Sequence, residues 1–253
     1  MACPRQWCAL GTVWVARAVA IIAALGLLTG CSYFGPGGAT GSGRLTSRTI
    51  DLSGITSVMA AATFVVHLKT GSPAQATVTM DDNLTNRVEA TVSGNELHLG
   101  IKPGMSVRNA TLRADVTVGQ LDRLAASGAS HATLESQVTG PALQLVVEGA
   151  SQITGPVGVD RLEASESGAS VLTLSGGAGS LHLNSAGTSR LVASELAIAD
   201  LDATLSGASQ ATVAVSDTLA ITADGASVLR YRGNPSITRQ ETSGGSSIVR
   251  DSS

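Results

Sequence analysis

Apolar and polar residues alternate singly over the second half of the chain, in short stretches cut by glycine. Leu143-Gln144-Leu145 is followed by Leu162-Glu163-Ala164, Leu181-His182-Leu183, Leu201-Asp202-Ala203 and Leu219-Ala220-Ile221. A period of two is that of a strand with one buried face, so Leu181 should face a core and His182 the solvent. Six residues after each leading leucine stands a glycine: Gly149, Gly168, Gly187, Gly207 or Gly225. Beyond it the alternation resumes, with Ile153, Leu172, Leu191, Leu229 and Ile248 in one phase and Thr133, Thr154, Thr173 and Thr212 in the other. Each unit thus predicts a strand, a glycine corner, a second strand and a second turn such as Gly140-Pro141 or Gly155-Pro156.

The corner is itself a motif. Ser127-Gly128-Ala129-Ser130 returns as Glu148-Gly149-Ala150-Ser151, Ser167-Gly168-Ala169-Ser170, Ser206-Gly207-Ala208-Ser209 and Asp224-Gly225-Ala226-Ser227. It is blurred at Gly187-Thr188-Ser189 and fades at Gly244-Gly245-Ser246, and the glycine-to-glycine steps are 21, 19, 19, 20, 18 and 19 residues. A unit this short cannot bury its own face and must stack on its neighbours. Helical repeats are longer and 3.6-periodic, and leucine-rich repeats place asparagine and leucine at offsets absent here. The expected fold is therefore all-β: a right-handed parallel β-helix with like residues in columns. Seven coils at one strand spacing each would make a rod of about 34 Å.

Residues 44–120 are less regular. Arg48 to Ile55, Phe64 to Leu68, Ala76 to Met80, Arg87 to Val92 and Glu96 to Leu99 alternate, and Asp81-Asp82-Asn83 and Ser93-Gly94-Asn95 read as turns. Antiparallel hairpins are expected, with Thr111 to Val118 feeding the first coil and the whole half capping and extending the rod, because a bare β-helix end is an aggregation edge.

The entry Asp51-Leu52-Ser53-Gly54-Ile55-Thr56, the strand Phe64 to Leu68, the strand Glu96-Leu97-His98-Leu99 and the repeated Ser-Gly-Ala-Ser together resemble the bacterial envelope family called putative auto-transporter adhesin, head GIN domain. The resemblance runs from about Arg44 to Arg250. It implies a parallel β-helix and a lipoprotein-like leader, and it carries no functional residue over to this chain.

The first thirty residues read as a separate element. Arg5 and Arg17 precede an apolar run from Ala18 to Leu28, which ends in Leu28-Thr29-Gly30-Cys31. The run suits the apolar region of an export signal, and the last four residues resemble the lipobox of bacterial lipoproteins, where the cysteine thiol is acylated before cleavage. The expected organisation is a signal at 1–30, a Gly-rich tether at 31–43 anchored through Cys31, and the repeat domain at 44–250. Loss of Cys3 and Cys8 with the signal would leave no intrachain disulfide. The location expected is a bacterial membrane surface facing away from the cytoplasm.

Composition narrows function more than fold. Aromatic residues are 2% of the chain, charged residues 14%, and the net charge is −3. Without a basic excess or stacking surface, nucleic-acid binding is excluded as a class. Scarce aromatics also disfavour a sugar-cleaving platform, and no phosphate loop, nucleophile triad, cofactor motif or metal set is present. Glu148 and Asp224 precede their glycines four coils apart, about 19 Å along the axis, too far for a retaining carboxylate pair.

One column concentrates chemistry. Five residues before each corner glycine stand Arg123, Gln144, Glu163, His182, Asp202, Ala220 and Arg239. Stacking would set His182 between two carboxylates, which reads as a metal site or as a general base oriented by acids. The plainer reading is a solvated face whose charges alternate to avoid like-charge columns. His67, His98 and His131 read as surface strand positions. The expectation is a non-catalytic, lipid-anchored envelope protein with an adhesive or structural role, whose partners are the membrane and, if it binds a ligand, an envelope polysaccharide or surface protein. The alternative is a polysaccharide-acting enzyme using the Glu163/His182/Asp202 face.

Overall fold

The computed structural model describes residues 38–251. The signal at 1–30, Cys31 and most of the glycine-rich segment lie outside the described residues. From Ala39 onward the chain forms one compact unit. Among the described residues no helix is long and apolar enough to cross a membrane.

Nine strands precede the regular repeat. They are β1 (Ala39–Thr40), β2 (Leu45–Asp51), β3 (Ser57–Ala60), β4 (Val65–Thr70), β5 (Gln75–Asp81), β6 (Val88–Ser93), β7 (Glu96–Ile101), β8 (Val107–Arg108) and β9 (Leu112–Val118). The repeat then runs through β10 (Arg123–Ala126), β11 (His131–Leu134), β12 (Val138–Val147), β13 (Gln152–Glu166), β14 (Val171–Ser185), β15 (Arg190–Leu205) and β16 (Gln210–Ala223). It ends in β17 (Val228–Arg232), β18 (Ser236–Thr242) and β19 (Ser247–Arg250).

The parallel solenoid expected from the repeat is the observed architecture. Leu143, Leu162, Leu181, Leu201 and Leu219 stand in register on successive coils, and all five are buried. The corner serines Ser130, Ser151, Ser170, Ser189, Ser209 and Ser227 also point inward and are buried, and several donate to the carbonyl three residues back, as Ser189 does to Ala186 at 2.9 Å. At the corner, Gly168 has φ +80°, and a Cβ there would sit 2.6 Å from the Gly149 carbonyl oxygen of the coil below. Glycine is required at that corner by both backbone conformation and close stacking.

Three features differ from the expectation. The second turn does not break the ladder: β13, β14 and β15 run for 15, 15 and 16 residues through Gly155-Pro156 and its equivalents. A straight strand of that length would reach about 50 Å, yet each stacks along its length on the next strand, one coil later. The chain therefore bends in place, with small residues, positive φ at Gly155 and Gly176 and register shifts near Ser175 and Ala197 absorbing the turn.

The second difference lies in the irregular half, which extends the solenoid by two levels as expected but stacks them in an unexpected order. β3 and β4 pair in parallel with β10 and β11, and on their other side with β7 and β9. The chain order is thus not the stacking order, since β3 and β4 are sandwiched between later strands. The corner between them is Ala61-Ala62-Thr63-Phe64, where Ala62 adopts φ 68° and Phe64 is buried where later coils place serine. The level beneath is joined by the longer segment 102–111 rather than by a four-residue corner.

The remaining strands form the expected cap. β5 lies antiparallel on β9, β2 on β5, and β6 on β7. The Arg48 guanidinium donates to the Ala90 carbonyl, linking β2 to β6.

The third difference concerns the glycine-rich segment, whose last residues are fastened to this cap. β1 pairs with β8, and the buried Asp81 carboxylate accepts from the amides of Gly43 at 2.6 Å and Thr111 at 2.7 Å.

Candidate functional site

The outward column predicted from the repeat exists and is longer than predicted. Its successive members are Glu96, Ser57, Arg123, Gln144, Glu163, His182, Asp202, Ala220 and Arg239. At one strand spacing per step, this line is about 38 Å long. The alternation puts these side chains in the solvent phase, although Ser57 is itself buried, while Leu181 and Leu183 on either side of His182 face the core.

Neighbours along the column bond in sequence. Ser57 donates to Glu96 at 2.8 Å, Arg123 donates to Gln144 at 3.0 Å and pairs with Glu96 at 3.4 Å. His182 Nδ1 lies 3.9 Å from Asp202 Oδ2, and its Nε2 lies 3.2 Å from Asn184 Nδ2. Asp202 also pairs with Arg239, two coils on. Glu163 is level with His182 by register. His182 and Asp202 side chains are about half exposed, so each pair is worth roughly 0–1 kcal/mol. The column is a polar ladder, interrupted at Ala220, with His182 flanked by carboxylates as its spacing implied.

The carboxylate column before the glycines is split as expected. Asp224 accepts from Ser243 and from the Gly225 amide at 2.7 Å, and these bonds hold its carboxyl below the ordinary range. Of the other histidines, His67 Nδ1 meets Glu135 Oε1 at 3.0 Å, His98 lies 4.0 Å from Glu89, and His131 is exposed. His67 belongs to a polar hollow of about 180 Å³ with Lys69, Gln75, Asp115 and Glu135. That group was not legible in the sequence because β4, β5, β9 and β11 meet only through long-range pairings. Among the described residues no cluster of histidine, cysteine and carboxylate could hold a metal ion.

A second residue missed by the sequence reading is Glu166. It follows Leu162 and Ala164 in the inward phase, and it is 3% exposed. Its Oε2 accepts from Ser185 Oγ at 3.0 Å, Ser185 in turn meets Ser189 at 2.8 Å, and Oε1 has no partner. Burial pushes its carboxyl up to about 7. The phase of the alternation would have revealed it, since a charge stands where the coil on one side places Val147 and the coil on the other Ser185, in a column that continues to Leu205.

The solenoid, its antiparallel cap and its corner motif match a known domain. The profile of the family described as "Putative auto-transporter adhesin, head GIN domain" matches residues 54–235. The chain belongs to this family. Solved structures share the head GIN fold. A putative adhesin of Bacteroides fragilis is 20% identical over 85% of this chain and 100% of its own, with a TM-score of 0.78. A putative adhesin of Parabacteroides distasonis is 20% identical over 84% and 99%, at 0.65. A protein of the same species named a putative lipid binding protein is 16% identical over 84% and 99%, at 0.64. Among curated proteins none matches the chain. Identities this low show the head GIN fold alone.

Proposed function

We propose that this protein is a lipid-anchored component of a bacterial cell envelope whose head GIN solenoid binds a repeating polymer, an envelope polysaccharide, without cleaving it. The observation that carries the reading is the outward column, in which polar or charged groups stand at eight of nine levels one strand spacing apart, Ala220 being the exception. A regular ladder of donors and acceptors fits a ligand that is itself regular. Several of its members are bonded to one another, and His182 and Asp202 are about half exposed, so these groups are held in place and still able to exchange water for ligand hydroxyls. The names of structural relatives as adhesins agree with a binding role.

The anchor is Cys31, which places the domain at the membrane surface away from the cytoplasm, next to the polymer it would grip. The test is to incubate the fragment Gly38–Ser253 with purified envelope polysaccharide and follow both retention and glycan mass. Saturable retention with unchanged mass supports binding. Loss of mass that disappears in His182→Ala would replace it with the enzyme reading of the Glu163/His182/Asp202 face.

A further inference from the structure

The two ends of the solenoid are built differently. The end formed by β7 and β9 is covered by β5, β2 and β6. At the other end, β18 pairs only with β16 and β19 only with β17, and among the described residues no strand lies beyond them. All seven residues of β18 are exposed, and Ile237 and Val249 at this end are 47% and 36% exposed. A long unpaired edge is a template for another strand.

The backbone phase of that edge is fixed. Ser243 N donates to Ala223 O at 2.9 Å, so Ser243 and, by alternation, Glu241 and Arg239 turn their amides toward β16. Gln240 and Thr242 turn theirs to the open side. An antiparallel pair of identical strands can have its two-fold axis at a residue whose own N–H and C=O face the edge, and Gln240 meets that condition.

The side chains are self-complementary about the same point. One cation, Arg239, and one anion, Glu241, flank Gln240 symmetrically. Glu241 makes no ion pair among the described residues, while Arg239 reaches Asp202 through one nitrogen, leaving other donors of its planar fork. Inward, Gln240 follows Ile221 in its column, so the end coil carries an amide able to bond its own copy rather than an apolar floor.

We propose that β18 forms an antiparallel ladder with β18 of a second copy of this chain, about a two-fold axis through Gln240, so that Arg239 of each copy faces Glu241 of the other and the two solenoids join end to end. The contact needs no new conformation, since it completes hydrogen bonds that the edge already presents.

The experiment uses the fragment Gly38–Ser253, which holds the whole compact unit and no cysteine. Sedimentation velocity should show a concentration-dependent dimer. Glu241→Arg should weaken the dimer roughly tenfold, because two attractive cross-strand pairs become repulsive. The exchange Arg239→Glu/Glu241→Arg should restore it. In separate single-cysteine variants, Gln240→Cys should cross-link on oxidation, since the facing Cα atoms would be about 5.5 Å apart. Arg239→Cys should not, because its own copy stands diagonally. A monomer at high micromolar concentration, a dimer indifferent to Glu241→Arg, or cross-linking that favours Arg239→Cys overturns the proposal. Thermal melts of each variant separate a weakened contact from a misfolded chain.

Discussion

Glu166 should make this domain more stable in acid than in mild alkali, the reverse of the usual carboxylate effect. In the folded protein its carboxyl is held near 7 against an ordinary 4.5, with desolvation as the main cause and the Ser185 hydroxyl opposing it. The folded state therefore keeps the proton over a window in which the unfolded chain has lost it. The stabilising contribution of the neutral acid is complete below about 4.5 and is lost as pH rises through about 7. A shift of that size corresponds to about 3 kcal/mol. Glu166→Gln keeps the shape and removes the charge, so it should leave stability unchanged at pH 4 and raise it by about 3 kcal/mol at pH 8. Urea denaturation of both proteins from pH 4 to pH 8 measures the difference, in which titrations common to the two cancel. A difference that is flat with pH would refute the reasoning, as would one that shrinks toward pH 8.

Further substitutions test separate links. Leu181→Ala removes a buried side chain stacked between Leu162 and Leu201 and should cost about 2–5 kcal/mol; His182→Ala, next to it on the solvent side, should cost less than about 1 kcal/mol by the same melts. Gly168→Ala should cost at least about 2 kcal/mol from backbone strain and its contact with the Gly149 carbonyl, whereas Ala62→Gly at nearly the same φ should be neutral or stabilise by up to about 1 kcal/mol. Cys31→Ser should abolish palmitate labelling and release the protein from membranes. Labelling that persists in the variant would remove the anchor from the account.

The repeat was legible because its signal is local. Leu181-His182-Leu183 carries its phase in three residues, and the spacing of nineteen and twenty from Glu163 to His182 to Asp202 places all three in one column once the coil length is known. The corner at Ala62 was not legible, because an alanine there hides the glycine that marks every later coil. Gly155-Pro156 read as a break, since glycine and proline usually end strands. In a coil they bend the strand while its neighbours keep pairing. The insertion of β3 and β4 between β7/β9 and β10/β11 depends on partners dozens of residues apart, and short alternating strands do not encode which neighbour they choose. Glu166 was in plain view, and only its phase distinguished it from a solvated glutamate.

The central claim is that the outward column is the surface that grips an envelope polymer. It is tested most directly by a binding isotherm of the fragment Gly38–Ser253 on purified envelope polysaccharide, beside the variant Glu163→Gln/His182→Gln/Asp202→Asn. Glu163 is exposed and the His182 and Asp202 side chains are about half exposed, all outside the core, so the variant should melt within a few degrees of the parent. The account predicts saturable binding by the parent, weakened roughly tenfold or more in the variant, since charge-assisted bonds to exposed groups contribute on the order of 1 kcal/mol or more in total. Equal binding by the two proteins would contradict it.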